Sequence, residues 1–216
     1  MTFIQRNLLS ILTLLAMVVI SMVLYQHLPQ QVPSRYNTAG ELIATQSRAL
    51  IVVLMPLMYT LMIILVNVMI RISPQKFAMP NSQRAMDMIV FASGVLMLFT
   101  HLGLLLGTDG ILAFTRYFAY GVAGFLIIAG NVFGNTERNF FIGIRLPWTI
   151  ASSANWKATH RVAGKVMVVA GLLMLVSNTL APHFYLTMTT LLVAVFIPVF
   201  YSLYYYLRYE KGAGKQ

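Results

Sequence analysis

Six apolar runs, each long enough to cross a bilayer, fill most of this 216-residue chain, and they leave it few ways to fold. A membrane's hydrocarbon core takes about 20 consecutive apolar residues of helix to span. The runs are Leu8 to Gln26, Leu50 to Ile70, Met86 to Gly107, Ile111 to Val132, Val162 to Leu180 and Phe184 to Leu207. Together they leave no room for a separate soluble domain. The expected fold is all-α: a polytopic six-helix transmembrane bundle. The composition agrees, with 59% hydrophobic and 9% charged residues against roughly 25% charged in soluble domains. Arg6 ahead of the first run imitates a signal peptide. That run, however, exceeds the roughly 7–15-residue core of such a peptide, and no small-x-small cleavage site precedes Leu28. It reads as a retained first span.

Orientation follows from the basic residues, which short cytoplasmic loops hold in excess. With the N-terminus inside, inner segments carry Arg6, Arg71, Lys76, Arg84, Arg138, Arg145, Lys157, Arg161, Lys165, Arg208, Lys211 and Lys215. Outer segments carry only Arg35, Arg48 and Arg116. Both termini are therefore expected in the cytoplasm. The net charge of +10 mostly reflects this topology, and basic residues beside a membrane attract anionic lipid. Nothing resembles a nucleic-acid-binding module. With no cysteine, disulfides, iron–sulfur clusters and thiol catalysis are excluded.

Residues 1–72 hold the first two spans and an outer loop, 28–48, punctuated by Pro29, Pro33 and Gly40. Residues 73–216 hold four spans and a long inner loop, with the polar segment 130–164 at its centre. The other connections are short: an inner loop from Ile72 to Gln83 with Pro74 and Pro80, and tight outer turns at Gly107 to Gly110 and Ala181 to His183. Spans three and four, and likewise five and six, are thus antiparallel neighbours. Ser152 or Ser153 is placed to cap a helix entering span five. Trp156, His160 and Gly164 then share one face, with Lys157, Arg161 and Lys165 forming a basic stripe beside it. Span four (Ala119, Gly121, Ala123, Gly124, Ala129, Gly130) and span five (Ala163, Gly164, Ala170, Gly171) are rich in small residues, which let membrane helices approach closely.

Ionisable residues inside spans are functional candidates by default, and His101 is the clearest, with Asn67 a weaker polar case. His101 also motivates a small transporter or proton-coupled exporter as an alternative function. Asp87 would snorkel or pair with Arg84 or an inner-loop base. His27, His101 and His183 lie in the outer half near Glu41 and Asp109, but their spacing matches no metal-ligand motif. The aromatic run Tyr201, Tyr204, Tyr205, Tyr206 and Tyr209 reads as an interfacial belt. No catalytic motif or paired carboxylate site is present, so neither an enzyme, nor a cofactor, nor a bound metal is expected.

The inner segment carries a family resemblance. Gly130-Asn131, Asn139, Phe140-Phe141, Gly143-Ile144-Arg145, Pro147-Trp148-Thr149, Trp156, His160-Arg161 and Gly164 fall at the positions of a bacterial membrane-protein signature. The chain thereby resembles the SdpI family, named after an immunity protein against a sporulation-delaying peptide toxin. The outer loop is similar to a small domain that commonly precedes the SdpI region. Leu28-Pro29, Val32-Pro33, Tyr36-Asn37 and Gly40-Glu41 supply that pattern. Leu146 stands where the family usually has Thr, and Arg35 where it usually has His. The resemblance implies immunity or resistance, by binding a membrane-active peptide toxin, and signalling to a cytoplasmic repressor. Toxin contact would then fall on the outer face, at Pro29, Pro33, Arg35, Tyr36, Glu41 and His101. Partner contact would fall on the motif: Asn131, Asn139, Gly143, Arg145, Pro147, Trp148, Trp156, His160, Arg161 and Gly164. Read from the residues alone, Arg145-Leu146-Pro147-Trp148 is either a rigid recognition edge or a turn sealing the bundle. A structural membrane protein of the envelope-stress kind is the third reading.

Overall fold

The computed structural model describes residues 3–37, 40–72, 83–107, 110–139 and 141–211. The expected features at Pro74, Lys76, Pro80, Thr108, Asp109, Phe140 and Lys215 lie outside them. Six helices are long and apolar enough to cross a membrane, and each overlays one of the runs in the sequence. They are α1 (Phe3–Leu24), α2 (Arg48–Ile72), α3 (Gln83–Leu106), α4 (Ile111–Phe133), α6 (Ser153–Leu180) and α7 (Phe184–Tyr205). A short helix, α5 (Pro147–Ala151), precedes α6, and a π-helical turn at Tyr206–Glu210 extends α7. This is a multi-pass membrane protein. Its side chains away from the bundle interior are apolar and exposed: Leu57, Leu61, Leu173, Val176 and Phe200 are examples.

The outer loop holds more order than a proline-punctuated connection. Strands β1 (Gln31–Tyr36) and β2 (Leu42–Ser47) pair antiparallel, Gln31 opposite Ser47 and Tyr36 opposite Leu42. The register slips between Pro33 and Tyr36, where proline has no N–H to give a ladder. Asn37 closes the turn. Its N–H donates to Glu41 O (2.9 Å), its Oδ1 accepts from Glu41 N–H (2.8 Å) and its Nδ2 donates to Glu41 Oε2 (2.7 Å). Gly40 sits at φ +83° in this turn, a region open to glycine. Val32, fully buried, anchors the ribbon on Leu28, Ile51, Val52 and Leu105 at one end of the bundle. This is the hairpin end; the opposite one is the motif end.

The helices pack in a chain of neighbours, α1 and α2 against α3, α3 against α4, α4 against α6, and α6 against α7. The glycines expected to bring spans four and five together do so. A Cβ on Gly130 would lie 2.9 Å from Gly164 O, and one on Gly164 2.7 Å from Gly130 O. At that crossing only hydrogen atoms fit between the two backbones. Ala119, Ala123, Leu126, Ala170, Met174 and Ala194 continue the seam toward the hairpin end.

The first three helices are joined by polar groups. Asn7 and Asn67 exchange amide hydrogen bonds of 3.3 and 3.2 Å while each also donates to a carbonyl of its own helix. Asp87 pairs with Arg6 of α1, Oδ1 to Nη2 at 2.9 Å, rather than with Arg84 or an inner-loop base. The bundle supplies the partner from the start of α1, which runs parallel to α3 and brings the first turns of both helices to the same end.

Candidate functional site at the motif end

Trp156 and His160 are both fully buried, one turn apart at the start of α6, and the motif loop is built around them. Their rings stack at 4.1 Å and 18°, and Phe133 at the end of α4 covers the imidazole at 5.0 Å. The Trp156 indole N–H donates to Thr136 O (2.8 Å). His160 Nδ1 lies 2.8 Å from Trp156 O, and its Nε2 accepts from Ile144 N–H at 2.9 Å. A carbonyl only accepts and a backbone N–H only donates. The imidazole is therefore the neutral Nδ1–H tautomer, with both nitrogens engaged. Its anchor is the loop backbone at Ile144.

Three further residues shape the loop over this pair. Asn139 Oδ1 accepts from Phe141 N–H and Ile142 N–H, each at 2.8 Å, while its Nδ2 donates to Glu137 O at 2.7 Å. Gly143 passes directly over the rings at φ +126°, and a Cβ there would lie 2.5 Å from His160 Nε2. Thr149, fully buried, is the hub of the next turn. Its hydroxyl accepts from Leu146 N–H (2.9 Å) and lies 2.7 and 2.9 Å from Ile144 O and Leu146 O. Pro147 opens α5, where a missing N–H costs nothing. Arg138 Nη1 donates to Ile150 O at 2.9 Å, at the far end of α5. Position 146 thus contributes its backbone groups to the turn, which is why leucine serves there.

The second tryptophan fastens the loop to the last helix. Trp148 Nε1 donates to Ser202 Oγ (3.0 Å), and its ring stacks on Tyr206 at 5.9 Å. The π-helical turn then swings Glu210 under the start of α6. Ser152 Oγ donates to Glu210 Oε1, and Asn155 Nδ2 donates to Glu210 Oε2 (3.2 Å) and to Ser202 O (3.2 Å). Ser152 Oγ also accepts from Asn155 N–H, making it the expected cap of α6. A carboxylate here suits the positive end of a helix. The sequence reading missed Thr136, Asn155, Ser202 and Glu210. Glu210, one of five acidic residues in the chain, carried the only signal, as an acid at the end of a span otherwise followed by bases.

The motif residues fall into two groups. Asn139, Trp156, His160 and Gly164 are buried, and Gly143 and Trp148 are partly covered. Asn139, Gly143, Trp156 and His160 form the interior of the loop, Trp148 ties it to the last helix and Gly164 sits at the crossing with α4. Asn131, Arg145, Pro147 and Arg161 are exposed, and Lys157, Arg161 and Lys165 form an exposed basic stripe on α6. The outer candidates divide likewise. Pro29, Arg35 and Glu41 are exposed, and Pro33 and Tyr36 half-buried on the hairpin. His101 is not with them. It is fully buried among α1, α2 and α3, with Nε2 2.8 Å from Ser21 Oγ. The hairpin end does form a cleft of about 410 Å³, between Tyr36, Asn37 and Gly40 of the turn, Ile111 and Leu112 of α4, and His183 to Tyr185 of α7.

The SdpI/YfhL protein family model matches residues 135–202, the stretch containing this loop and the helices it joins. An entire curated protein aligns as well: the chain is 28% identical over 209 residues, 94% of its length and 96% of the relative's, to Immunity protein SdpI of Bacillus subtilis (strain 168). Over that stretch the chain is similar to the SdpI/YfhL family. The model of a domain of unknown function, DUF1648, matches residues 12–60, from α1 through the hairpin into α2. No solved structure matches. Within the family stretch Asn139, Gly143, Trp156 and His160 form the loop interior just described.

Proposed function

We propose that this chain is a membrane immunity protein of the SdpI type, protecting a bacterial cell from a membrane-active peptide toxin. The observation that carries the reading is the near full-length similarity to Immunity protein SdpI, spanning 94% of this chain and 96% of the relative. In this reading both termini face the cytoplasm and the protein sits in the inner membrane. Toxin meets the hairpin end, where the cleft beside Tyr36 offers aromatic and backbone groups facing outward. The basic stripe Lys157, Arg161 and Lys165, with exposed Arg145 beside it, is then the surface for a cytoplasmic partner such as a repressor. The chemistry is binding rather than catalysis.

Expression in toxin-sensitive cells tests the reading. Protection by the wild-type chain against at least one membrane-active peptide is expected, with unchanged killing across a panel of such peptides as the outcome that removes it. His101, the residue that would carry an exporter, instead joins three helices through Ser21.

A further inference from the structure

Between α1 and α2 lies an open groove of about 670 Å³, lined by residues of these two helices and by Tyr25 just beyond α1. Leu14, Val18 and Met22 of α1 and Val53, Pro56 and Leu57 of α2 line it. It extends from Leu14 to Tyr25, which at 1.5 Å per helical residue is roughly 16 Å. That is about half of a hydrocarbon core of about 30 Å, the depth of one leaflet.

The groove has a cation at its outer end. Arg48, Val52, Pro56 and Thr60 recur every four residues and so lie on one stripe of α2; the last three line the groove. Arg48, at the top of the stripe, places its guanidinium carbon 4.7 Å from the centroid of Tyr25, another lining residue. Its Nη1 donates to Leu28 O (3.3 Å) and Tyr25 O (3.5 Å), which holds the side chain over the groove mouth. No described carboxylate pairs with it.

A fixed positive charge at headgroup depth above an apolar slot one leaflet deep matches a single kind of molecule. We propose that this groove is a binding site for an anionic phospholipid, with the phosphate on Arg48 and one acyl chain between α1 and α2. The site is separate from the motif loop and does not depend on the immunity reading.

Native mass spectrometry of the full chain, equilibrated with equal amounts of phosphatidylglycerol and phosphatidylcholine, tests this. One interfacial cation is worth about fivefold in affinity for anionic lipid. The wild type is therefore expected to retain phosphatidylglycerol about fivefold over phosphatidylcholine. Arg48→Gln should bring the ratio near one, while Arg35→Gln, at an exposed hairpin cation, leaves it unchanged. Val53→Trp, which fills the slot and spares the cation, should lose the retained lipid with helicity intact by circular dichroism. Millimolar glycerol 3-phosphate should displace nothing. A wild-type ratio near one, an equal loss in Arg35→Gln, or full retention in Val53→Trp would each overturn the proposal. So would displacement by glycerol 3-phosphate, or an apolar helical peptide taking the slot in place of lipid.

Discussion

Gly143 shows how closely one position can be specified. Its φ of +126° excludes a side chain on backbone grounds, and the His160 ring 2.5 Å from a hypothetical Cβ excludes one on packing grounds. Gly143→Ala is expected to destabilise the motif loop by about 1–3 kcal/mol from backbone strain alone, with ring displacement adding to it. Thermal unfolding in detergent, with limited proteolysis after Arg145, measures the loss; wild-type stability would mean the loop runs elsewhere. His160→Phe separates shape from hydrogen bonding. The ring is kept, but Ile144 N–H loses its acceptor, a change of about 1–3 kcal/mol for a buried donor left unpaired. If His160→Phe is as stable as wild type, the imidazole is not holding the loop. Read as letters, Gly143, His160 and Trp156 had been candidates for partner contact. In the structure the Trp156 and His160 rings stack on each other beneath the Gly143 backbone, an orientation that the sequence alone does not mark. Exposed Arg145 and Arg161 keep the recognition role open to test.

Helix α2 contains a proline whose consequences spread through two neighbours. Pro56 has no N–H to donate to Val52 O, four residues earlier. Ser21 of α1 makes up the deficit, its hydroxyl donating to that carbonyl at 3.0 Å. With the hydroxyl proton committed there, the close contact of 2.8 Å between Ser21 Oγ and His101 Nε2 is a bond donated by the imidazole of α3. A buried proline, serine and histidine thus form one junction of three helices. Ser21→Ala should cost about 1–3 kcal/mol in the native background, by leaving Val52 O bare. In a Pro56→Ala background, where the backbone N–H restored at position 56 can take that carbonyl, the loss should shrink. Equal losses in both backgrounds, in a double-mutant cycle read by thermal unfolding, would dissociate the serine from the proline. His101 stood out in the sequence because an ionisable group in a span invites a functional reading, and pairing information was missing. Its partner lies 80 residues away, a distance over which no local pattern reports.

At the scale of the whole molecule the six spans were readable because hydrocarbon imposes a length and a composition that any sequence must display. Their ends, in α2, α4 and α6, fall within a turn or so of the apolar runs, except that α6 begins earlier, at Ser153, because polar Asn155, Thr159 and His160 are buried by the loop. The hairpin was not readable, since a two-stranded ribbon with one fully buried anchor, Val32, displays no alternating apolar face. The inside-positive bias predicts the hairpin end outside and the motif end in the cytoplasm. The chain has no cysteine, so single introduced thiols report without background. Gln46→Cys on β2 should react with an impermeant maleimide in intact cells, and Lys157→Cys on α6 only after permeabilisation. The reverse pattern would invert the topology and move toxin contact to the other end.

The carboxylate of Glu210 also sets a clock. Ser152 and Asn155 meet it across 58 and 55 residues of intervening chain. At about 5–20 residues per second of synthesis, the start of α6 waits roughly 3–12 s for its acid after it has itself been made. This latch between the start of α6 and the end of α7 is therefore among the late contacts of the molecule, and until it forms Ser152 and Asn155 are without their carboxylate. A ribosome halted just before Glu210 would hold a chain with all six spans synthesised and this one latch still unmade.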